Sequence, residues 1–597
     1  MKIGLEIHQR LDSNKLFCDC PSILTEKDAE PNSTVYRRLH PVMSELGEID
    51  KASAAEFSRD RVFEYQYFRG SSCLVELDEE PPHAINPDAL KTVLEIALRL
   101  NARPVDELHM MRKIVIDGSN TSGFQRTAVV AMNGVMESSQ GPIEIPLIAI
   151  EEESSGIVKS PGRNQIYKLD RLGIPLIEMS TTPVIKDGKH LKEVAEKLGM
   201  ILRATGKVAR GIGTIRQDVN VSTEGGARVE LKGAQELKML PTYVENEVNR
   251  QTELIKLIHE LRKLDAFSFK PEIKDVTKTF TKTSATLISK GIENGAAVLA
   301  MKIPKHAGFL GRELQPKRRY GSELSDYAKH AGVKGIIHTD ENLSKYKISE
   351  DEISAVRKAV HAAKEDAVVL VVALEKQASS ALKMVAERAS LDYVPEETRN
   401  PLPDGTSAYM RPLPGRARMY PETDVPSIPI NSELLDEVRS SMGESLEEKE
   451  KILAKMLNPE MAKKMIKSRH LRLFDALVKG GANPKLVAVT IEDTLVSLRR
   501  EGFELAHLEK SLKDLFSEYS KGLFVKAAIP DILKHMAKGS SAESVVKVYR
   551  LQKITGKELE KIADEANHNM KAIMAKHRLQ VDPGELAKLI SKQKKAK

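Results

Sequence analysis

Residues Gly211 to Gly233 read GIGTIRQDVNVSTEGGARVELKG, and the fold turns on how this stretch pairs with itself. Ile215, Val219 and Val221 alternate with Arg216, Asp218, Asn220 and Ser222, while Val229 and Leu231 alternate with Arg228, Glu230 and Lys232. Period-two alternation predicts two half-buried strands, and Gly225-Gly226 predicts the turn between them. A two-residue turn would set Asn220 against Leu231 and mix the two faces. A three-residue loop, Glu224 to Gly226, sets Asn220 opposite Glu230 and Asp218 opposite Lys232. A one-residue slip flips every side chain, so the apolar pattern selects the three-residue loop. One face then carries two acids, an amide and several cations. A solvated face is the ordinary reading of such a pattern. The mixed polar content of both strands instead suits a metal and a phosphate held together.

Outward from the hairpin, the N-terminal half reads as strands and loops with few long helices. Lys2 to Gln9 alternates, so Glu6 and His8 share one face and Leu5 and Ile7 the other. Cys18 and Cys20 form a CxC pair, half of a four-ligand zinc site. Cys73 and His40 are the nearby candidates to complete it; unpaired thiols are the alternative. Glu76 to His83 is an acidic loop, and Asn86 to Leu100 has helical spacing. Arg112-Lys113 precede DGSNTSGFQ, Asp117 to Gln125, a loop of turn formers that either approaches a phosphate or simply turns. It is neither a P-loop nor a GxSxG elbow, and no amidase signature occurs anywhere. Glu151-Glu152-Glu153 end an apolar run: solvated acids, or oxygen ligands for a hard cation. LDRLGIPLIE, Leu169 to Glu178, and a helical pattern from His190 to Ala204 lead back to the hairpin, and Tyr243 to Leu264 is helical.

The chain has 597 residues, which predicts roughly three to five domains. Its longest strongly apolar run, Ala367 to Leu374, suits a buried strand and is too short for a bilayer. A strand at the very N-terminus leaves no room for a signal peptide, and three cysteines point to a reducing cytoplasm. The net charge is +7, and from Ser541 to Lys597 there are 13 Lys and Arg against 7 Asp and Glu. That asymmetry points to a polyanion at the tail; a basic solubilising end is the alternative.

From Phe267 to Leu391, strand-like segments (Ala297 to Ile303, Gly335 to Thr339, Ala367 to Leu374) alternate with helical ones, the pattern of a separate α+β domain. Tyr393 to Ile430 is Pro-rich and reads as a linker, yet it carries Arg399, Arg411, Arg416, Arg418, Glu422 and Asp424. From Ser432 onward the pattern is helical.

GLEIH, CxC, EEE, LDRLGIPLIE, TIRQDVNVS, ARVELKG and MYPETD, in this order, resemble the B/E family of tRNA-dependent amidotransferase subunits, on its archaeal E branch. The resemblance runs along essentially the whole chain. It implies a multidomain α+β fold: an antiparallel-sheet catalytic cradle (1–265 and 393–431) and an inserted α+β domain like that of bacterial aspartyl-tRNA synthetases (266–392). All-helical domains follow, a helical domain (432–525) and a basic helical tail (526–597). The implied reaction phosphorylates the side-chain carboxylate of glutamate mischarged on tRNA(Gln) with ATP, then amidates it with ammonia from a separate asparaginase-like amidase D subunit. The implied setting is cytoplasmic, a heterodimer or higher assembly away from membranes.

Carried over motif by motif, Glu6, His8, Glu151, Asp218 and Glu230 are assigned to a Mg²⁺ cluster, with Asn220 on the metal or holding a ligand. Arg112, Lys113, Arg171, Arg216, Arg228, Lys232, Arg416 and Arg418 become candidates for ATP phosphates or the tRNA 3′ end. B subunits carry a second cysteine pair after the CxC; this chain does not, so a four-thiolate zinc is not available to it.

Overall fold

The hairpin closes as its alternation requires. In the computed structural model, strands Ile215–Ser222 and Val229–Leu231 pair antiparallel with Asn220 opposite Glu230 and Val219 opposite Leu231. Gly225 takes φ +73° in a turn whose Gly226 N–H donates to the Thr223 carbonyl, a conformation that glycine adopts without steric cost. The structure describes all residues except 27, 44–46, 161–162, 414–417, 469, 504, 506–507 and 597. Two compact units result, Met1–Met442 and Gly443–Lys597.

The first unit is built on an eleven-stranded sheet. Its strands are β1 (Lys2–Arg10), β2 (Arg103–Pro104), β3 (Met111–Ile114), β4 (Phe124–Ser138), β5 (Gly141–Glu152) and β6 (Pro175–Ser180). The hairpin strands follow as β7 and β8, then β9 (Glu397–Pro401), β10 (Ser407–Pro412) and β11 (Met419–Pro421). The spatial order is β10-β9-β8-β7-β1-β6-β5-β4-β3-β11, with β2 beside β4. All pairs are antiparallel except β8 with β9.

This order makes the sheet curl. Its two edges, β10 and β11, are successive in sequence. Seven peptide steps separate Pro412 from Met419, a reach of about 25 Å at most. Laid flat, ten strands at about 4.8 Å spacing would hold the edges roughly 43 Å apart. The Pro-rich segment after the insert therefore supplies three strands and draws the edges together.

Ile3, Leu5 and Ile7 of β1 are fully buried on the apolar face, each burial stabilising by about 1.5–3 kcal/mol. Helices Pro87–Arg99 and Gly188–Ala204 cover that face with Val93, Leu94, Leu191 and Leu198. Asn86 and Asp187 cap their N-termini, accepting from Ala89 N and His190 N. Helix Ser432–Ser441 also seats Val438 in this core, so the first unit runs to Met442. The opposite face carries the polar residues.

A second, four-stranded sheet includes Val62–Tyr67 and Asn164–Lys168. The segment between β8 and β9 forms a third sheet, Ile273–Asp275, Ala297–Ile303, Ala367–Ala373 and Ile337–His338, with helices Tyr320–Lys329 and Glu375–Ala389 against it. In the second unit, the described residues are helical and form two cores. The larger includes Phe474, Ile532 and Val546; the smaller spans Ile554 to Ile590. No helix among the described residues is long and apolar enough to cross a membrane.

Candidate active site

Strand pairing assembles the polar face. Glu6 lies opposite Asp218 across β1 and β7, and His8 lies opposite Glu178 across β1 and β6. His8 Nε2 sits 3.5 Å from Glu6, 3.7 Å from Glu178 and 3.9 Å from Glu151. Lys113 from β3 reaches Glu151 and, at 3.1 Å, Glu178. At the other end Lys232 approaches Asp218 at 3.1 Å and Glu230 at 3.6 Å, and the Gly233 N–H donates to Asp218 at 2.7 Å. Residues of six strands or strand ends thus form one continuous cluster.

Five carboxylates (Glu6, Glu151, Glu178, Asp218, Glu230) face two lysines and one histidine. Their crowding moves the protons. Burial and the charge of Glu178 push the Glu6 carboxyl up to about 7. Burial opposes charge on His8, but Glu178, Glu6 and Glu151 outweigh it and raise the imidazole to about 9. Glu151 is pushed up by burial and by Glu178. Burial would raise Glu178 too, yet Lys113 and His8 hold it well below the usual carboxylate range. Asp218 is likewise low, because Lys232 and His8 overcome its burial. With His8 protonated and all five acids ionised, the cluster would lack two positive charges, a deficit that the raised Glu6 and Glu151 carboxyls relieve in part by taking up protons. Ligand atoms of Glu6, His8 and Glu178 lie within 4.8 Å of one another. A hard divalent cation with oxygen-rich ligands matches both the deficit and the donors.

The sequence candidates divide. Glu6, His8, Glu151, Asp218 and Glu230 come together, with Lys113 and Lys232 among them. Asn220 is half-buried on the same face, opposite Glu230 and Gly4. Glu178 was missed as a site residue. It ends the LGIPLIE run, and alternation along β6 places it on the polar face, but its position beside His8 depends on a strand pairing with no local sequence signal. Arg228 is on the rim of the hairpin, exposed to solvent. Arg418 donates from Nε to the Ile114 carbonyl at 3.2 Å, next to Lys113. Arg416 lies outside the described residues.

Three candidate arginines are otherwise engaged. Arg112 neighbours Lys113 in a strand and so faces the other way; it pairs with Glu422 and Asp424 and stacks 4.5 Å over Phe124. Arg216 and Arg171 converge with Arg10 on Glu153. Burial pushes Glu153 up, but these guanidinia, Arg216 foremost, pull it below its ordinary value. Arg171 also donates to the carbonyls of Ser154 and Ser155 at 2.7 and 2.6 Å. The three adjacent acids therefore have three roles: Glu151 in the cluster, Glu153 among arginines, and Glu152 on the far side accepting from the Arg126 N–H.

The cysteines form a second centre. Cys18, Cys20, Cys73 and Glu76 present ligand atoms within 4.8 Å of one another. Cys18 Sγ lies 3.0 Å from Glu76 Oε1, and the Cys73 N–H donates to Oε2 at 2.7 Å. The fourth group is thus a carboxylate from the acidic loop. His40, the other sequence candidate, packs its ring against Phe57 instead. The Asp117 to Gln125 loop turns in on itself, Ser119 N donating to Asp117 and Thr121 Oγ1 to the Glu76 carbonyl. Any side chain at Gly118, φ +90°, would strike the Phe63 ring.

Residues 1–436 match a family described as the GatB/GatE catalytic domain, and residues 472–582 match one described as the GatB domain. The chain is 45% identical over 576 residues to the E subunit of the glutamyl-tRNA(Gln) amidotransferase from Methanocaldococcus jannaschii, covering 94% of this chain and 91% of that protein. The corresponding protein of Thermococcus gammatolerans is 46% identical over 585 residues, covering 96% and 92%. That of Pyrococcus abyssi is 44% identical over 585 residues, with the same shares.

Proposed function

The chain belongs to the GatB/GatE family of tRNA-dependent amidotransferase subunits, and on that premise we propose that it phosphorylates and then amidates the side-chain carboxylate of glutamate esterified to tRNA(Gln). The observation that carries this reading is the charge-deficient cluster of five carboxylates flanked by Lys113 and Lys232.

A carboxylate is a poor electrophile. Transfer of the ATP γ-phosphoryl group to one of its oxygens gives an acyl phosphate and ADP. Ammonia then attacks the carbonyl carbon, loses a proton, and expels phosphate to leave the amide. Positioning and charge neutralisation dominate such phosphoryl transfer, so no covalent nucleophile is needed. Glu6, His8 and Glu178 would hold Mg²⁺, with Glu151, Asp218 and Glu230 completing the negative surround. When bound, the cation neutralises charge on the transferring phosphoryl group. Lys113 and Lys232 flank the cluster from opposite sides, placed to pair with phosphate oxygens. Gly233 N–H and Lys232 keep Asp218 ionised and fixed. His8, flanked by three acids, orients them.

Ammonia comes from a partner amidase, because this chain carries no amidase motif. The insert, resembling that of bacterial aspartyl-tRNA synthetases, and the basic tail contact tRNA. Cys18, Cys20, Cys73 and Glu76 suit a structural zinc: three soft sulfurs and one oxygen converge, as tetrahedral zinc requires. A colorimetric zinc assay on purified protein should give one ion per chain, reduced in Cys18→Ser.

Supplying ammonium, ATP, Mg²⁺ and glutamyl-tRNA(Gln) to the isolated chain tests the reading. Glutaminyl-tRNA(Gln) is expected without any partner. Tight tRNA binding with no ATP cleavage would make the chain a scaffold and overturn it.

A further inference from the structure

The acid cluster leaves a neighbouring cavity unexplained. Its volume is about 220 Å³, below the roughly 300–1,000 Å³ of a site that encloses a drug-sized ligand. It lies where the curled sheet brings its edges together. Ile114 to Asp117 follow edge-adjacent β3, Tyr409 to Pro412 end β10, and helix Lys51–Phe57 forms a further wall.

Four arginines and three acids line it: Arg59, Arg61, Arg411 and Arg418 against Asp50, Glu56 and Asp117. The acids already have partners. Asp50 accepts from Ser53 N and Oγ at 2.9 and 3.1 Å. Glu56 pairs with Arg59 at 2.7 Å and Arg61 at 3.0 Å. Asp117 accepts from Ser119 N at 2.9 Å. Arg411 and Arg418 remain. Arg411 Nε is buried without a hydrogen-bond partner. Among the described residues, neither guanidinium has a carboxylate within ion-pair distance, and Arg418 has the Ile114 carbonyl at 3.2 Å. Of the buried arginines elsewhere in this unit, Arg10, Arg126, Arg250 and Arg399 each rest on a carboxylate, and Arg388, whose guanidinium nitrogens lack hydrogen bonds, still has Glu323 at 3.5 Å; the half-buried Arg411 and Arg418 have no such acid.

Two unmatched guanidinia lining one cavity repel each other, and their partial burial adds to the penalty. Burial and the neighbouring Arg411 charge accordingly depress Arg418. An anion between them removes both penalties. Forked guanidinium donors match a tetrahedral oxyanion best, and the volume suits a phosphate with part of its ester. The wall is shared with the acid cluster, because Ile114 takes Arg418 while Lys113 takes Glu151 and Glu178.

We propose that Arg411 and Arg418 form a phosphate subsite in this cavity, adjoining the cation-deficient acid cluster. Its assignment to a reacting phosphate rests on the functional reading above; its existence rests on the unmatched arginines. The phosphate comes either from a nucleotide's polyphosphate or from the RNA backbone near a 3′ end.

Calorimetric titration of the full chain with ATP and Mg²⁺, and separately with a CCA-ended RNA hairpin, tests this in wild type, Arg411→Gln and Arg411→Lys. Arg411→Gln should weaken one ligand by about 10- to 100-fold, the range for losing a hydrogen bond to a charged group, and Arg411→Lys should recover part of it. Because glutamine relieves repulsion, ligand-free Arg411→Gln should melt at or above the wild-type temperature. Weakening confined to ATP assigns the subsite to the nucleotide; weakening confined to the hairpin assigns it to RNA. Affinities within about twofold of wild type for both ligands, in a variant that melts normally, would overturn the proposal. If Arg411→Gln loses affinity yet wild type makes no amide from ammonium, the functional reading fails and the subsite stands. If amide forms normally and both affinities hold, the subsite alone fails.

Discussion

Two ionic clusters occupy the first unit, and they are composed differently. At the junction of cradle and insert, Arg250, Arg388 and Arg399 meet Glu247, Glu323 and Glu397, all essentially inaccessible to solvent. Arg250 pairs with Glu247 at 2.8 Å and Glu323 at 3.2 Å, and Arg399 pairs with Glu323 at 2.8 Å and with Glu397. Arg388 lies 3.5 Å from Glu323 between the rings of Tyr320 and Tyr327. Three cations match three anions, and Glu323, though buried, is held far below its usual range by Arg399 and Arg250. The acid cluster has the same kinds of charge at similar distances, but five acids oppose three bases and Glu6 is driven up to about 7. The matched network needs no further counter-charge, although the guanidinium nitrogens of Arg388 lack hydrogen-bond partners, and it ties the insert to the cradle. The unmatched one is neutralised by protons on its crowded groups or by a bound cation, and perturbed groups of this kind mark functional sites.

Disabling one cluster should stop chemistry, and disabling the other should loosen the fold. The largest expected effect is in the acid cluster. Asp218→Ala, or Glu178→Gln, should slow amide formation by about 100- to 1,000-fold, as loss of a key electrostatic group does. tRNA affinity measured by filter binding should stay near wild type; loss of binding with chemistry preserved would reverse the assignment.

Glu323→Gln addresses the matched network. It leaves three buried guanidinia short of one anion, which should cost about 3–5 kcal/mol of stability, read as an early urea transition. Full stability in this variant would show that the network contributes little.

The tail belongs to the second unit. Its last core begins at Ile554, whereas Val545, Val546 and Leu551 belong to the larger helical core. Removing residues from Gly556 onward is therefore the cleaner truncation. It should lower the salt slope of tRNA binding by roughly 2–4, about 0.9 per lost phosphate contact. An unchanged slope would leave the tail a solubilising end.

The smallest effect sharpens the junction itself. His330 accepts from Arg59 at Nδ1, and burial together with the Arg59 charge lowers its imidazole to about 4. The unfolded chain, with an ordinary value near 6.5, takes up the proton first. This contribution is therefore full above pH 6.5 and lost as pH falls toward 4. At about 1.4 kcal/mol per pH unit it amounts to about 3.5 kcal/mol at most, reduced by solvent screening at the half-buried ring. His330→Gln should flatten stability over that window in urea titrations at stepped pH.

Much of the cradle was legible in local periodicity. Alternation in β1 and β7 placed Glu6, His8 and Asp218 on one face, and it selected the hairpin register. The same rule would have separated Arg112 from Lys113, because neighbours in a strand face opposite ways. What stayed hidden depends on pairing between distant strands. Glu178 reaches His8 only because β6 lies beside β1, and Glu76, three residues from Cys73, reaches Cys18 and Cys20 only through tertiary packing. The Pro-rich return segment has the composition of a linker. Its role in closing the sheet follows from where β9, β10 and β11 join, and the density of its arginines was the one local sign.

The central claim is that the acid cluster is short of positive charge and takes a divalent cation. Calorimetric titration of Mg²⁺ or Mn²⁺ into the full chain at neutral pH, repeated in buffers of different ionisation enthalpy, measures this directly. Saturable binding with proton release is expected, because the ion displaces protons from His8 and Glu6, and the Glu6→Gln, Glu178→Gln double variant should lose it. Absence of binding, or binding that the double variant retains unchanged, would contradict the account.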